Sequence, residues 1–135
     1  MGMMSAYFNP FSHFGTGIYP PQLMNYDMDL AHRDDKSQRI LATISAVPKG
    51  SVSTYGHIAL RAGLKGYARY VGYVLRNLPE GSRIPWYRIV TSKGTLAFPV
   101  NSDAFCTQRK RLQEEGLEVT PDGKITDFRA HMHQD

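Results

Sequence analysis

Residues 50–78 read GSVSTYGHIALRAGLKGYARYVGYVLRNL, and this stretch decides the fold. Ser53 or Thr54 offers a side-chain oxygen to the unpaired N–H groups that open a helix. Ile58, Ala59 and Ala62 then recur at helical spacing, and Gly63 supplies the stop. Leu64-Lys65-Gly66 is a turn, and a second helix runs from about Ala68 to Asn77 with an apolar stripe of Val71, Val74, Leu75 and Leu78. Two short helices joined by a tight, glycine-bounded turn are a helix-turn-helix signature.

Working outward, Asp34-Asp35-Lys36 opens a helix that carries Ile40, Leu41, Ile44 and Val47 inward. Acids at its start suit the positive end of the helix dipole, and Pro48 with Gly50 ends it. Val52 is a short extended element. On the other side, Arg83-Ile84-Pro85-Trp86-Tyr87-Arg88-Ile89-Val90 ends in a β-prone pair, and Ser92-Lys93-Gly94 is a turn. Thr95-Leu96-Ala97-Phe98 is expected to return as a second strand, forming a small hairpin or wing. Asn101-Ser102-Asp103 caps a last helix through Glu115, Gly116 stops it, and Asp122-Gly123 is a further turn. The expected fold is mostly α with a small β hairpin, a winged helix-turn-helix domain over residues 29–128. Residues 129–135 are expected to fray.

The chain has 135 residues, 41% of them hydrophobic and 21% charged, which fits one globular domain with a modest core. No run approaches the roughly 18 apolar residues of a membrane span. The single cysteine, Cys106, excludes an internal disulfide framework and a cysteine-based zinc site. Residues 1–28 differ from the rest: Tyr7, Phe8, Phe11, Phe14, Tyr19 and Tyr26 sit among Pro20, Pro21 and no Lys or Arg. Without basic residues this is neither a secretory nor a mitochondrial leader. It reads as a mobile tail, with Met28 an alternative start. The charge is concentrated elsewhere. Lys49, Arg61, Lys65, Arg69, Arg76, Arg83, Arg88 and Lys93 face one acid, Glu80, between positions 49 and 93, whereas the remainder is slightly acidic. Such a segment is the electrostatic footprint of phosphate binding.

Four blocks resemble the O6-alkylguanine-DNA alkyltransferases. Gly50-Ser51-Val52-Ser53-Thr54-Tyr55-Gly56-His57-Ile58-Ala59 is similar to their G-x-V-x-T-Y-G-x-I-A stretch, and Ala68-Arg69-Tyr70-Val71-Gly72 to their A-R-x-V-G recognition helix. Ile84-Pro85-Trp86-Tyr87-Arg88-Ile89-Val90 resembles the active-site run I-P-C-H-R-V-V, and Arg111-Leu112-Gln113-Glu114-Glu115-Gly116 the closing K-R-x-L-x-x-E-G. The blocks keep family order over residues 36–118. One departure matters for chemistry: Trp86 stands where the family has its alkyl-accepting cysteine, and Tyr87 where it has the activating histidine. Dealkylation needs a thiolate and a nearby base, and an indole is no substitute. The P-W-x-R pattern is similar to that of the alkyltransferase-like proteins, which bind alkylated bases without removing the alkyl group.

That resemblance implies a set of roles. Arg69 takes the place of a base flipped out of the duplex, and Gly72 lets its helix approach the groove closely. Tyr55 crowds the phosphate of the flipped nucleotide, with Ser53 and Thr54 as neighbouring DNA contacts. Trp86, Tyr87, Pro85 and Tyr55 line the lesion pocket, and the loop Leu96–Asp103, which lacks a clear family pattern, covers it. Asn77, Arg88 and Glu115 are structural: Arg88 and Glu115 form an interior network holding the Pro85–Arg88 turn, and Asn77 matches the hinge asparagine between the helix-turn-helix and the active-site strand. The implied function is non-enzymatic recognition of O6-alkylguanine in duplex DNA through the minor groove, with nucleotide flipping and a handover to nucleotide excision repair proteins. The protein is expected to act as a monomer without cofactor, metal or membrane, in the cytoplasm or nucleoid of a bacterium or the nucleus of a eukaryote. Two alternatives stand beside this: a helix-turn-helix transcriptional regulator reading the major groove, and an alkyltransferase using Cys106. Cys106 lies 20 residues beyond the family's cysteine position with no histidine near it in sequence, so a small buried or half-buried residue is the expected reading. His131-Met132-His133 lacks metal-ligand spacing.

Overall fold

The computed structural model describes residues 35–134. The reading of residues 1–28 as a tail lies outside them. Among the described residues, five α-helices and a two-stranded sheet follow in the order α1 (Asp35–Ser45), β1 (Ser53–Thr54), α2 (Tyr55–Arg61), α3 (Ala68–Arg76), a 3-10 turn (Trp86–Arg88), β2 (Ile89–Val90), α4 (Asp103–Glu114) and α5 (Phe128–His131). The fold is mostly helical, as the sequence indicates.

The local signals act where they were read. Thr54 is the N-cap of α2: its backbone is extended and its hydroxyl accepts the His57 N–H at 3.0 Å. Gly63 ends that helix at φ +80°, a conformation that costs glycine little and other residues a Cβ clash. Ser102 caps α4 by accepting from the Phe105 N–H. Ile40 and Ile44 of α1, Ile58 and Ala59 of α2, and Val71, Val74 and Leu75 of α3 point inward to one core, joined by Ile89, Val90, Phe105 and Leu112. Ser37 on α1 and the Tyr70 hydroxyl on α3 meet at 3.1 Å, fixing the rotation of α3 against the core. The helix-turn-helix is therefore held from behind by α1.

Two expectations are corrected. β2 does not pair with Thr95–Phe98; it pairs in parallel with β1, in the register Ser53↔Ile89 and Thr54↔Val90. The Thr91–Thr95 turn does form, closed by the Thr91 N–H to the Thr95 carbonyl at 3.0 Å and by their hydroxyls at 2.7 Å. Beyond it the chain is claimed by another partner: Thr95 bridges Lys124 antiparallel, and the Leu96 N–H donates to Gly123. Both β2 residues are buried, so pairing with β1 satisfies backbone groups that water cannot reach.

The C-terminus is the second correction. Residues 129–133, read as frayed, are held in place. The Val52 N–H donates to the His131 carbonyl at 2.9 Å, and the His133 N–H to the Val52 carbonyl at 2.8 Å. Phe128 rests on Gly94, where an added Cβ would lie 2.6 Å from the ring. Among the described residues no helix is long and apolar enough to cross a membrane.

Candidate nucleic-acid interface

α3 turns Val71, Val74 and Leu75 to the core and leaves Arg69, Gly72 and Arg76 along its other side, at the spacing of successive helical turns. Arg69 is exposed. At Gly72 the nearest atom to a hypothetical Cβ is Arg76 Nη1, at 3.9 Å, which is ordinary contact. No neighbouring helix needs this glycine to be small. Tyr67, the N-cap of α3, is 41% exposed, and its ring is braced edge-on by Tyr70 at 6.1 Å. Tyr70 in turn stacks on Tyr73 at 5.5 Å. An exposed aromatic ring is thus held rigidly two residues from Arg69.

Tyr55 opens α2 and is partly buried against the core. That burial pushes its phenol up to about 12, moderated by the positive charge of Arg76. The hydroxyl therefore stays a neutral donor at any physiological pH. Arg76 relates electrostatically to Tyr55 and spatially to Gly72, so the start of α2 and the outer side of α3 form one surface.

Behind that surface lies the Pro85–Arg88 turn. Trp86 is only 4% exposed; its ring meets Tyr87 edge-on at 5.8 Å and Phe98, from the loop after β2, edge-on at 6.4 Å. Tyr87 lies beneath two guanidinium groups, Arg111 at 4.5 Å and Arg88 at 5.3 Å from the ring centre. Arg88 forms a two-pronged pair with Glu115: Nε donates to Oε1 at 3.0 Å and Nη2 donates to Oε2. Its Nη1 donates to the Val47 carbonyl at 2.9 Å, while Glu115 Oε1 accepts the Gly50 N–H at 3.0 Å. One ion pair thus ties the end of α1, the strand leading to β1, the Trp86 turn and the end of α4. Burial works to raise the Glu115 pKa, but the Arg88 and Gly50 hydrogen bonds outweigh it and hold the carboxyl below the usual carboxylate range.

Not every expected partner joins. Asn77 is buried, but its Nδ2 donates to the Tyr73 carbonyl at 2.8 Å, closing α3 on itself rather than bonding Arg88 or Glu115. Ser53 is 0% exposed within β1, so it faces the core and not a DNA surface; parallel pairing, invisible locally, turned it inward. Thr54, also buried, is committed to capping α2. Cys106 is exposed on the first turns of α4, not buried or half-buried as expected. Gln108 was not anticipated. It is buried, and its Nε2 donates to the Tyr87 and Ile89 carbonyls at 3.0 and 3.1 Å, pinning the turn to α4. No sequence pattern marks such a residue, whereas Tyr67 is signalled by its place two residues before Arg69. Among the described residues no cluster of His, Cys, Asp or Glu could hold a metal ion.

Comparison with known proteins agrees with this geometry. Residues 35–117 match the family model of the 6-O-methylguanine DNA methyltransferase DNA-binding domain. The chain is 48% identical over 87 residues to a DNA base-flipping protein of Vibrio parahaemolyticus, covering 64% of this chain and 85% of that protein. It is 36% identical over 86 residues to alkyltransferase-like protein 1 of Schizosaccharomyces pombe, covering 64% and 80% of the two. The crystal structure of S. pombe Atl1 in complex with damaged DNA containing O6-carboxymethylguanine superposes with a TM-score of 0.66 at 31% identity, over 76% of this chain and 97% of that one. The chain therefore belongs to the 6-O-methylguanine DNA methyltransferase DNA-binding family, among its alkyltransferase-like, base-flipping members.

Proposed function

We propose that this protein binds duplex DNA through the minor groove, rotates an O6-alkylguanine out of the stack and retains it without removing the alkyl group. The observation that carries this reading is Trp86. The turn that resembles the family's active-site run carries a buried indole, edge-on to Tyr87 and Phe98, and no thiol or imidazole. An apolar wall of this kind stabilises a base or alkyl group by contact and offers nothing that accepts it.

The remaining residues fit the physical demands of flipping. Extruding a base costs a few kcal/mol of pairing and stacking. Arg69, exposed on α3, enters the gap and recovers part of that by stacking and hydrogen bonding to the orphaned partner. Gly72 lets the helix backbone come close to the groove. Tyr55, neutral and rigidly based, presses on the phosphate of the rotating nucleotide. Phe98 covers the indole, so the base reaches Trp86 only as the 96–101 loop yields. Arg88 and Glu115 hold the turn in place while this happens. The bound, distorted DNA then marks the lesion for nucleotide excision repair, and the protein acts as a monomer.

Incubation with a duplex carrying O6-methylguanine labelled in the methyl group tests this directly. Tight lesion-dependent binding with all label left on DNA is the expected result. Label on the protein would assign an enzyme, and indifference to the lesion would assign a sequence-reading regulator.

A further inference from the structure

The segment after residue 117 lies beyond the matched family domain, yet it builds one wall of a groove at the start of α2. The groove measures about 620 Å³ and is open to solvent along one side. It is lined by Thr54 and Gly56 at the start of α2, by Ser92 and Lys93 of the turn after β2, and by Arg129 and Met132 of the C-terminal segment. Two contacts make this arrangement rigid. Val52 pairs with His131 and His133, which locks the chain end against the strand that feeds Thr54. Phe128 lies directly on Gly94, which locks α5 to the Ser92–Gly94 turn. Lys93 and Arg129, 36 positions apart, thereby line one cleft.

We infer that this cleft is a second seat for the DNA sugar-phosphate backbone, with Arg129 of α5 and Lys93 as its phosphate-binding cations. No acid lines the groove. The Lys93 and Arg129 side chains are both exposed, and among the described residues neither forms an ion pair. Gly56 has no atom within 4 Å of a hypothetical Cβ, so the space beside this lining residue is open to a strand. Tyr55 stands in sequence between Thr54 and Gly56, both of which line the cleft, so the cleft adjoins the residue proposed to meet the flipped nucleotide's phosphate. Arg129 lies outside the basic 49–93 segment, in a stretch that also carries Glu118, Asp122 and Asp127. Only the folding of α5 onto Gly94 brings its charge to the interface.

This inference rests on the DNA-binding reading, and its test separates the two. Duplexes with and without O6-methylguanine are titrated by fluorescence anisotropy over a range of NaCl concentrations, using wild type, Arg129→Ala, Lys93→Ala and Lys124→Ala. Lys124 is a cation of the same C-terminal segment that does not line the groove. Loss of one phosphate contact should lower affinity about three- to tenfold near 0.1 M salt, alike on both duplexes, and make the log–log salt slope shallower by about 0.9. Arg129→Ala and Lys93→Ala should each do so, whereas Lys124→Ala should not. Phe128→Ala, which keeps every charge but frees α5 from Gly94, should weaken binding in the same direction. Thermal melts confirm that each variant is folded. Arg129→Ala behaving like Lys124→Ala, while Arg69→Ala still impairs lesion binding, overturns the cleft alone. Absence of DNA binding by the wild type overturns both readings.

Discussion

Replacing Gly72 by alanine should make the free protein more stable and the DNA complex weaker. Gly72 is the central residue of the nine-residue helix α3, with φ outside the left-handed region and room for a methyl group, since Arg76 Nη1 at 3.9 Å is the nearest atom. Glycine inside a helix is worse than alanine by about 0.8–1 kcal/mol, because its unfolded chain has more freedom to lose. Nothing in the structure subtracts from that gain. For a folded unit of this size, each kcal/mol moves the melting temperature by about 4–8 °C, so Gly72→Ala should melt roughly 3–8 °C higher. In the complex the same methyl projects from the side of the helix that carries Arg69, where backbone and groove must approach closely. Steric overfilling of a tight contact costs about 1–3 kcal/mol, or a five- to 150-fold loss of affinity for both duplexes. Differential scanning fluorimetry and anisotropy titration on one preparation measure both signs. A lower melting temperature would mean that Gly72 serves internal packing. Unchanged DNA affinity would mean that α3 does not enter a groove on this side, and the binding mode would fall.

Other expectations follow from the same geometry. Arg69→Ala should cost about 1–3 kcal/mol on the lesion duplex and suppress a 2-aminopurine extrusion signal, with much less effect on undamaged DNA; equal losses with extrusion intact would reduce Arg69 to a backbone contact. For undamaged DNA, log affinity should fall against log salt with a slope of roughly −4 to −5, and a slope near zero would place the basic segment away from DNA. Neither wild type nor Trp86→Cys should dealkylate DNA, because Tyr87 cannot activate a thiol as histidine does; S-alkylation of exposed Cys106, seen by mass spectrometry after stoichiometric incubation, would contradict this. Glu115→Ala should destabilise the fold by about 3–5 kcal/mol, since it leaves the Arg88 guanidinium, whose side chain is 14% exposed, without its partner. Because the folded state holds the Glu115 carboxyl below its ordinary value, the pair contributes fully above about pH 5 and is lost as pH falls through the lowered value. Acid titration of the melting temperature should therefore be steeper for wild type than for the variant.

Everything governed by near neighbours was legible in the sequence. The caps at Thr54 and Ser102, the stop at Gly63 and the stripe of Val71, Val74, Leu75 and Leu78 depend on residues within a turn or two, and each helix formed where those signals stand. The order of the four motif blocks identified the family for the same reason: each motif is a short, continuous run. What failed was decided by partners distant in the chain. A β-prone pair at Ile89-Val90 carries no record of whether its mate follows at Thr95 or precedes at Ser53, since strand pairing depends on which edge the packed helices leave open. That choice buried Ser53 and removed it from the DNA contacts. The chain end looked dispensable because residues 127–133 lack any periodic pattern of their own. Their order comes from Val52 and Gly94, far away in sequence, and so does the place of Arg129 beside Lys93. Local chemistry sets the helices and carries the family's motifs. The meeting of remote segments, which only burial of a shared core enforces, sets the shape of the surface that DNA meets.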